Sequence, residues 1–186
     1  MFIYLKIIFR YLDIYIYYIM IYPPLIIHKN CKKNSVSLYG IPCQCVELIR
    51  RYFNLYYGLT FESVIDAYEM FYKINYLSNI ANKTITLDTI YAGYIPLSNN
   101  SICVGDIVFW KRNIKNGNYG HVAIVVYVAN GTVVIAQQNS SKIFEEYDTS
   151  DVIREMNKSD SPFLGIKRLP NFVIIPQQIQ IQLQTN

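Results

Sequence analysis

Two periodicities divide the chain. After Pro42 the apolar residues Val46, Ile49, Phe53 and Tyr56 recur at spacings of three and four, which predicts one buried face of a helix entered at Cys45 and ended by Gly58. A second pattern, Val64, Ile65, Tyr68, Phe71 and Tyr72, predicts another helix with Thr60 or Glu62 near its start. From Val104 the texture becomes β-like. Residues 104–110 read as a turn into a strand, and HVAIVVYV and TVVIAQQN flank Ala129-Asn130-Gly131 as a hairpin. A further strand is predicted at residues 164–169. Residues 77–101 lose both periods and carry Asn, Ser, Thr, Gly93 and Pro96, which predicts a long surface loop walling a cleft. Helices first and antiparallel strands afterwards define an α+β chain.

The two ends stand apart. Residues 14–27 are uninterrupted and apolar, but fall short of the roughly 20 residues of a membrane-spanning helix. They contain Pro23-Pro24, and Lys6, Arg10 and Asp13 interrupt what precedes them. A signal-anchor, a secretory signal and an apolar extension packed on the domain all fit; no small-residue cleavage site follows. The reading taken is membrane association through residues 1–27, which favours a membrane, secreted or virion location over the cytoplasm. The organisation expected is an apolar segment (1–30), a domain (31–170) and a Gln-rich tail (171–186), with His28 opening a polar linker. Residues 179–184 alternate strictly, which an edge strand and a disordered terminus both allow.

Composition narrows the chemistry. A chain of 186 residues suits one domain with extensions, and it reads as a monomer. The net charge of +4 is dispersed, apart from Lys32-Lys33 and Arg50-Arg51, so no nucleic-acid surface is expected. The cysteines Cys31, Cys43, Cys45 and Cys103 form no C-x-x-C pair, and there are two histidines, so neither a metal nor a cofactor is expected. Cys43 reads as a packing or loop residue. Asp106 reads as a cap or turn residue at a strand entry, and Glu47 with Arg50-Arg51 as ion pairs around the helix or a solvated face.

Cys45 at a helix N-terminus is where unpaired N–H groups and the helix dipole favour a thiolate, so its pKa is expected to fall. A cysteine nucleophile needs a histidine brought from elsewhere, and His121 opens the hairpin. A two-residue Asn130-Gly131 turn would pair Ala129 with Thr132 and put Gln138 and Ser140 on the face of His121. A three-residue loop would pair Val128 with Thr132 and put Gln137 and Asn139 there instead. A slip of one residue moves every side chain to the other face, so only one register holds. The three-residue loop gives the histidine two amide partners able to fix its tautomer.

Tyr39-Gly40, Gln44-Cys45-Val46-Glu47, Arg50-Arg51, Gly105-Asp106-Ile107-Val108-Phe109, Gly120-His121-Val122-Ala123-Ile124 and Ile135-Ala136-Gln137-Gln138-Asn139 together resemble the CHAP family of cysteine, histidine-dependent amidohydrolases and peptidases. The likeness runs over about residues 37–170, and in its Gln-Cys-Val-Glu and Ala-x-Gln-Asn details is nearest to glutathionylspermidine amidase domains. It implies a papain-like fold, Cys45 as nucleophile and His121 as base, and favours the three-residue loop. The family's usual Glu is replaced by Gln137, so Asn139 is a candidate for the orienting role. Cys45, Gln44 and Tyr39 are the expected oxyanion or cleft residues. The substrate implied is a peptide or polyamine amide, from peptidoglycan peptides or a glutathionylspermidine-like conjugate. A membrane-attached, inactive scaffold is the alternative that the Gln137 departure motivates.

Overall fold

The computed structural model describes residues 25–28, 36–94, 96–98, 101–114, 117–170 and 181–184. Helix α1 (Cys45–Tyr57) begins and ends where the apolar period does. Gln44 is its extended N-cap, and Gly58 ends it in the left-handed conformation (φ 63°), donating its N–H to Asn54 O. The buried face is wider than the spacing predicted: Leu48, Ile49, Tyr52 and Phe53 are all sealed from solvent. Tyr52 packs its ring against those of Phe53 and Tyr56, with centroids 5.3 and 5.2 Å away.

Helix α2 (Ala67–Lys73) starts later than expected. Asp66, rather than Thr60 or Glu62, caps it: Asp66 Oδ1 accepts from Glu69 N at 2.7 Å, and the Glu69 carboxylate accepts from Ile65 N. With the helix starting at Ala67, a different face from the expected one turns inward. Ala67, Met70 and Phe71 are buried, whereas Ile65, expected inside, is exposed.

The expected loop at residues 77–101 holds three short strands, β2 (Tyr76–Ser78), β3 (Thr84–Thr86) and β4 (Asp88–Tyr91), and its described residues after Tyr91 are irregular. Strands of three or four residues show too few alternations to read as a period, yet Leu77 in β2 and Leu87 between β3 and β4 are buried. The chain continues through β5 (Ile107–Trp110), β6 (His121–Ala129), β7 (Thr132–Ala136), β8 (Phe144–Asp148), α3 (Thr149–Met156) and β9 (Phe163–Arg168). These strands build a six-stranded antiparallel sheet in the order β4-β9-β5-β6-β7-β8. One face carries Val122, Ile124 and Ala136 against α1 and α2. The other carries Ala123, Val125 and Ile135 against α3. This is the expected α+β architecture, with the cysteine helix packed on the sheet. Asp106, fully buried at the entry to β5, accepts from Cys103 N and is held by Arg168 through two contacts of 2.6 and 2.7 Å.

Residues 1–24, which carry most of the expected membrane segment, lie outside the described residues. The end of that segment does not: strand β1 (Leu25–His28) buries Leu25 and Ile27 completely in the core beside α1. It pairs in parallel with β10 (Ile181–Gln184), so this part of the tail takes the strand alternative. Among the described residues no helix is long and apolar enough to cross a membrane.

Candidate active site

The β6–β7 hairpin corrects one half of the predicted register and keeps the other. Ala129 pairs with Thr132 across a two-residue turn, so the three-residue loop is not formed. Asn130 (φ 52°) and Gly131 (φ 78°) both lie in the left-handed region, as the tight turn suited to twisted strands requires. Further along, the pairing shifts between Val125 and Tyr127 and leaves Val126 as an extra residue, and beyond it Ile124 pairs with Ala136. That downstream register is the one the three-residue loop would have imposed. A bulge supplies the additional residue that the turn does not.

The consequence appears along Gln137-Gln138-Asn139. Gln137 Oε1 lies 2.8 Å from His121 Nε2. Gln138, pointing oppositely, donates to Glu47 Oε2 at 2.8 Å and accepts from Arg51 Nη2 at 3.0 Å. Asn139 returns to the first side, where its Nδ2 donates to Gln44 Oε1 at 2.9 Å. The two candidate partners of His121 are thus divided, Gln137 to the histidine and Asn139 to the residue preceding the cysteine.

Cys45 and His121 line one cleft of about 740 Å³, together with Gln44, Asp66, Tyr119 and Asn139. Gly120 precedes the histidine at φ 71°, and a Cβ there would meet Trp110 O at 3.0 Å and Tyr68 N at 3.3 Å, so the close approach of α2 to this strand needs glycine. The Trp110 ring flanks the imidazole with centroids 5.7 Å apart. Tyr39 stands behind the rim: Arg50 Nη1 holds its carbonyl at 2.5 Å, and Gly40 and Ile41 face the cleft.

The electrostatics differ from expectation at the thiol. Burial pushes the Cys45 pKa up, and nearby Asp66 adds to this; the backbone N–H groups of Val122, Val46 and Cys45 itself oppose the rise without cancelling it. Helix-entry placement alone therefore does not produce a resting thiolate. Burial likewise lowers the His121 pKa, against the opposing effects of the Gln137 hydrogen bond and the Glu145 charge. At neutral pH these directions favour the uncharged thiol and the uncharged imidazole.

Behind α1 lies a buried charged network that spacing had left open between ion pairs and a solvated face. Glu47 meets Arg51 Nε at 3.2 Å and accepts from Ser37 Oγ at 2.7 Å. Arg51 also donates to Ile26 O at 2.5 Å, and His28 N donates to Gln138 Oε1 at 3.1 Å. His28, expected in a linker, is thus part of strand β1 and of the frame behind the cysteine helix. Cys43, expected as a packing or loop residue, is disulfide-bonded.

An α+β scaffold that sets a cysteine at a helix entry against a histidine at a strand end defines a class of thiol-dependent hydrolases. Residues 35–139 match the CHAP domain model, and the chain belongs to that family of amidase and peptidase hydrolases. Over 100 residues the chain is 31% identical to the bifunctional glutathionylspermidine synthetase/amidase of Escherichia coli (strain K12) and to that of Shigella flexneri, a match covering 54% of this chain. It spans only 16% of the length of each of those relatives. Among solved structures, Ly7917 is similar at a TM-score of 0.44 and 17% identity, over 69% of this chain and 54% of that one. The endolysin LysIME-EF1 is similar at 0.43 and 17%, over 74% and 56%.

Proposed function

We propose that the protein hydrolyses an amide bond through a thioester on Cys45, with His121 as the base. The observation that carries this is the shared cleft, in which the histidine is held on one ring nitrogen by Gln137 while the thiol lies at the helix entry. His121 Nδ1 takes the thiol proton, and the sulfur attacks the carbonyl carbon of the substrate. Charge developing on the carbonyl oxygen meets the N–H of Cys45 and the side-chain NH2 of Gln44, whose Oε1 is occupied by Asn139 so that its amino group is the free end. The imidazolium returns its proton to the leaving amine, whose bond to carbon breaks and leaves the thioester. His121 then deprotonates a water that attacks the thioester, releasing the carboxylic acid and restoring the thiol.

The substrate supported best is an amide in a peptide or a peptide–polyamine conjugate. The sequence likeness to glutathionylspermidine synthetase/amidase over the domain supports the conjugate; wall peptides are the other class to try. The test is amine release from glutathionylspermidine and from peptidoglycan stem peptides by the full chain, beside Cys45→Ala. Hydrolysis of either that vanishes with the cysteine is the expected result.

A second reading, a retained scaffold that binds without turnover, is favoured by two observations. Gln137 is neutral where the family usually has Glu, and burial raises the thiol pKa. Absence of hydrolysis with retained, saturable binding of the same compounds is its signature.

A further inference from the structure

We infer that Glu145 is the positioning residue of the Cys45–His121 pair, acting through the amide of Gln137 and standing one hydrogen bond behind the carboxylate that the chain lacks at position 137. This rests on the catalytic reading of Cys45 and His121. Gln137 is buried, at 3% exposure, and is engaged at both ends: Oε1 meets His121 Nε2 at 2.8 Å, and Nε2 donates to Glu145 Oε2 at 2.9 Å. An amide can be turned end for end at little steric cost, so what decides its direction is the chemistry of its neighbours. A carboxylate only accepts. Glu145 therefore takes the NH2 end of Gln137, which leaves the carbonyl end toward the histidine. Facing an acceptor, His121 Nε2 must carry its hydrogen, and Nδ1 keeps the lone pair that can receive the thiol proton. With the amide reversed, the NH2 would face Nε2, the imidazole would hold its hydrogen on Nδ1, and the base would be lost.

Glu145 is itself fixed. Tyr147 O–H donates to Glu145 Oε2 at 2.7 Å, and Lys142 Nζ stands 3.5 Å from Oε1. Together with the Gln137 amide these partners keep its carboxyl below the usual carboxylate range, so it is ionised at neutral pH. Its negative charge also favours the imidazolium that forms in the reaction. The other groups that bear on the pair are the Trp110 ring beside His121 and Asp66 near Cys45, the latter in an ion pair with Arg112. Among the described residues it is Gln137 that meets His121 Nε2.

The experiment is the pH dependence of Cys45 alkylation by iodoacetamide in the full chain, read by mass spectrometry of the Cys45 peptide. Wild type is compared with Glu145→Ala, the double variant Gln137→Glu with Glu145→Gln, and His121→Ala. Glu145→Ala is expected to slow alkylation at pH 7 about tenfold, a partial loss of the general-base contribution. The double variant puts the carboxylate directly on the histidine with an amide behind it, and is expected to recover the wild-type rate at pH 7. A merely structural Glu145 predicts no such recovery. Wild-type behaviour of Glu145→Ala beside a slow His121→Ala overturns the proposal alone. An unchanged His121→Ala overturns the Cys–His pair itself, and this proposal with it.

Discussion

Gln137 Oε1 stands 2.8 Å from His121 Nε2, and the two meet because Val126 is left unpaired between them along the hairpin. Without that extra residue the two-residue turn would have brought Gln138 to the histidine side, and with it the partner that Glu47 and Arg51 need behind α1. Register, tautomer and helix support are thus set by one bulge. Replacing Gln137 by Leu removes the acceptor from His121 and the donor from Glu145. Substrate turnover is expected to fall between about tenfold and a hundredfold, mainly in kcat, since the amide lies behind the imidazole and away from bound substrate. Steady-state kinetics on whichever amide the enzyme accepts checks this, and a change confined to KM would contradict it.

Asn139 makes a different prediction from Gln137, because its partner is Gln44. Asn139→Ala frees the Gln44 side chain to rotate and weakens oxyanion stabilisation. Hydrolysis is expected to drop, by up to about a hundredfold for a lost donor, while the pH midpoint of Cys45 alkylation stays where it is. Alkylation of a thiolate develops no carbonyl oxyanion. A shifted midpoint in this variant would place Asn139 with the histidine.

Arg51 and Arg50 are neighbours with unequal roles. Arg51 neutralises Glu47, which is 2% exposed, and ties β1 and Gln138 to the helix. Arg51→Met leaves a buried carboxylate without its cation and is expected to cost roughly 3–5 kcal/mol of stability. Arg50 reaches the carbonyls of Tyr39 and Glu62 from a less enclosed position, so Arg50→Met should cost about 1 kcal/mol. Urea denaturation midpoints of the two variants measure the contrast, and equal losses would contradict it.

Lys167 gives the fold a pH signature unrelated to the cleft. Its ammonium is buried at 1% exposure, bonded to Asn75 Oδ1 at 3.1 Å and Thr89 Oγ1 at 3.0 Å, above the Phe71 ring. Burial brings its pKa down from 10.5 to about 8. Between those values the unfolded chain binds more protons than the folded one, so this residue makes stability rise with pH across that window, by ~3 kcal/mol at most. Below about pH 8 both states are protonated and the slope disappears. Denaturation of wild type and Lys167→Met at pH 7 and pH 10 checks it: the difference between the two proteins should change with pH in favour of wild type.

What was legible in the chain follows physical range. The cysteine helix was readable because its apolar spacing, its extended N-cap and Gly58 all act within a few residues. The histidine strand was readable from its β-branched run. The turn was assigned to the wrong loop length because a bulge at Val126 and a longer loop impose the same downstream pairing, and no local residue type distinguishes them. The strands from Tyr76 to Tyr91 were missed because each is too short for a period. Asp66 carries a legible signal, since an acidic N-cap with Glu three residues later is a recognisable spacing. Glu145 had none: it is one acidic residue in a polar alternating strand, and its link to the site passes through a residue eight positions earlier. The helix entry predicts a lowered thiol pKa and burial raises it, because dipole and backbone N–H effects are local, whereas desolvation belongs to the whole packed cleft.

The central claim is that the thiol of Cys45 is activated by His121 rather than by its helix. Its most direct test is the alkylation rate of Cys45 against pH in the full chain, wild type beside His121→Ala. The account predicts that wild type is alkylated readily at pH 7, because the neutral imidazole takes the thiol proton as the sulfur attacks, and that His121→Ala, left with a thiol whose pKa burial raises, reacts slowly until the pH passes the ordinary value of about 8.5. Superimposable profiles with a midpoint near or above 8.5 would show a thiol that His121 does not serve, and would contradict the account.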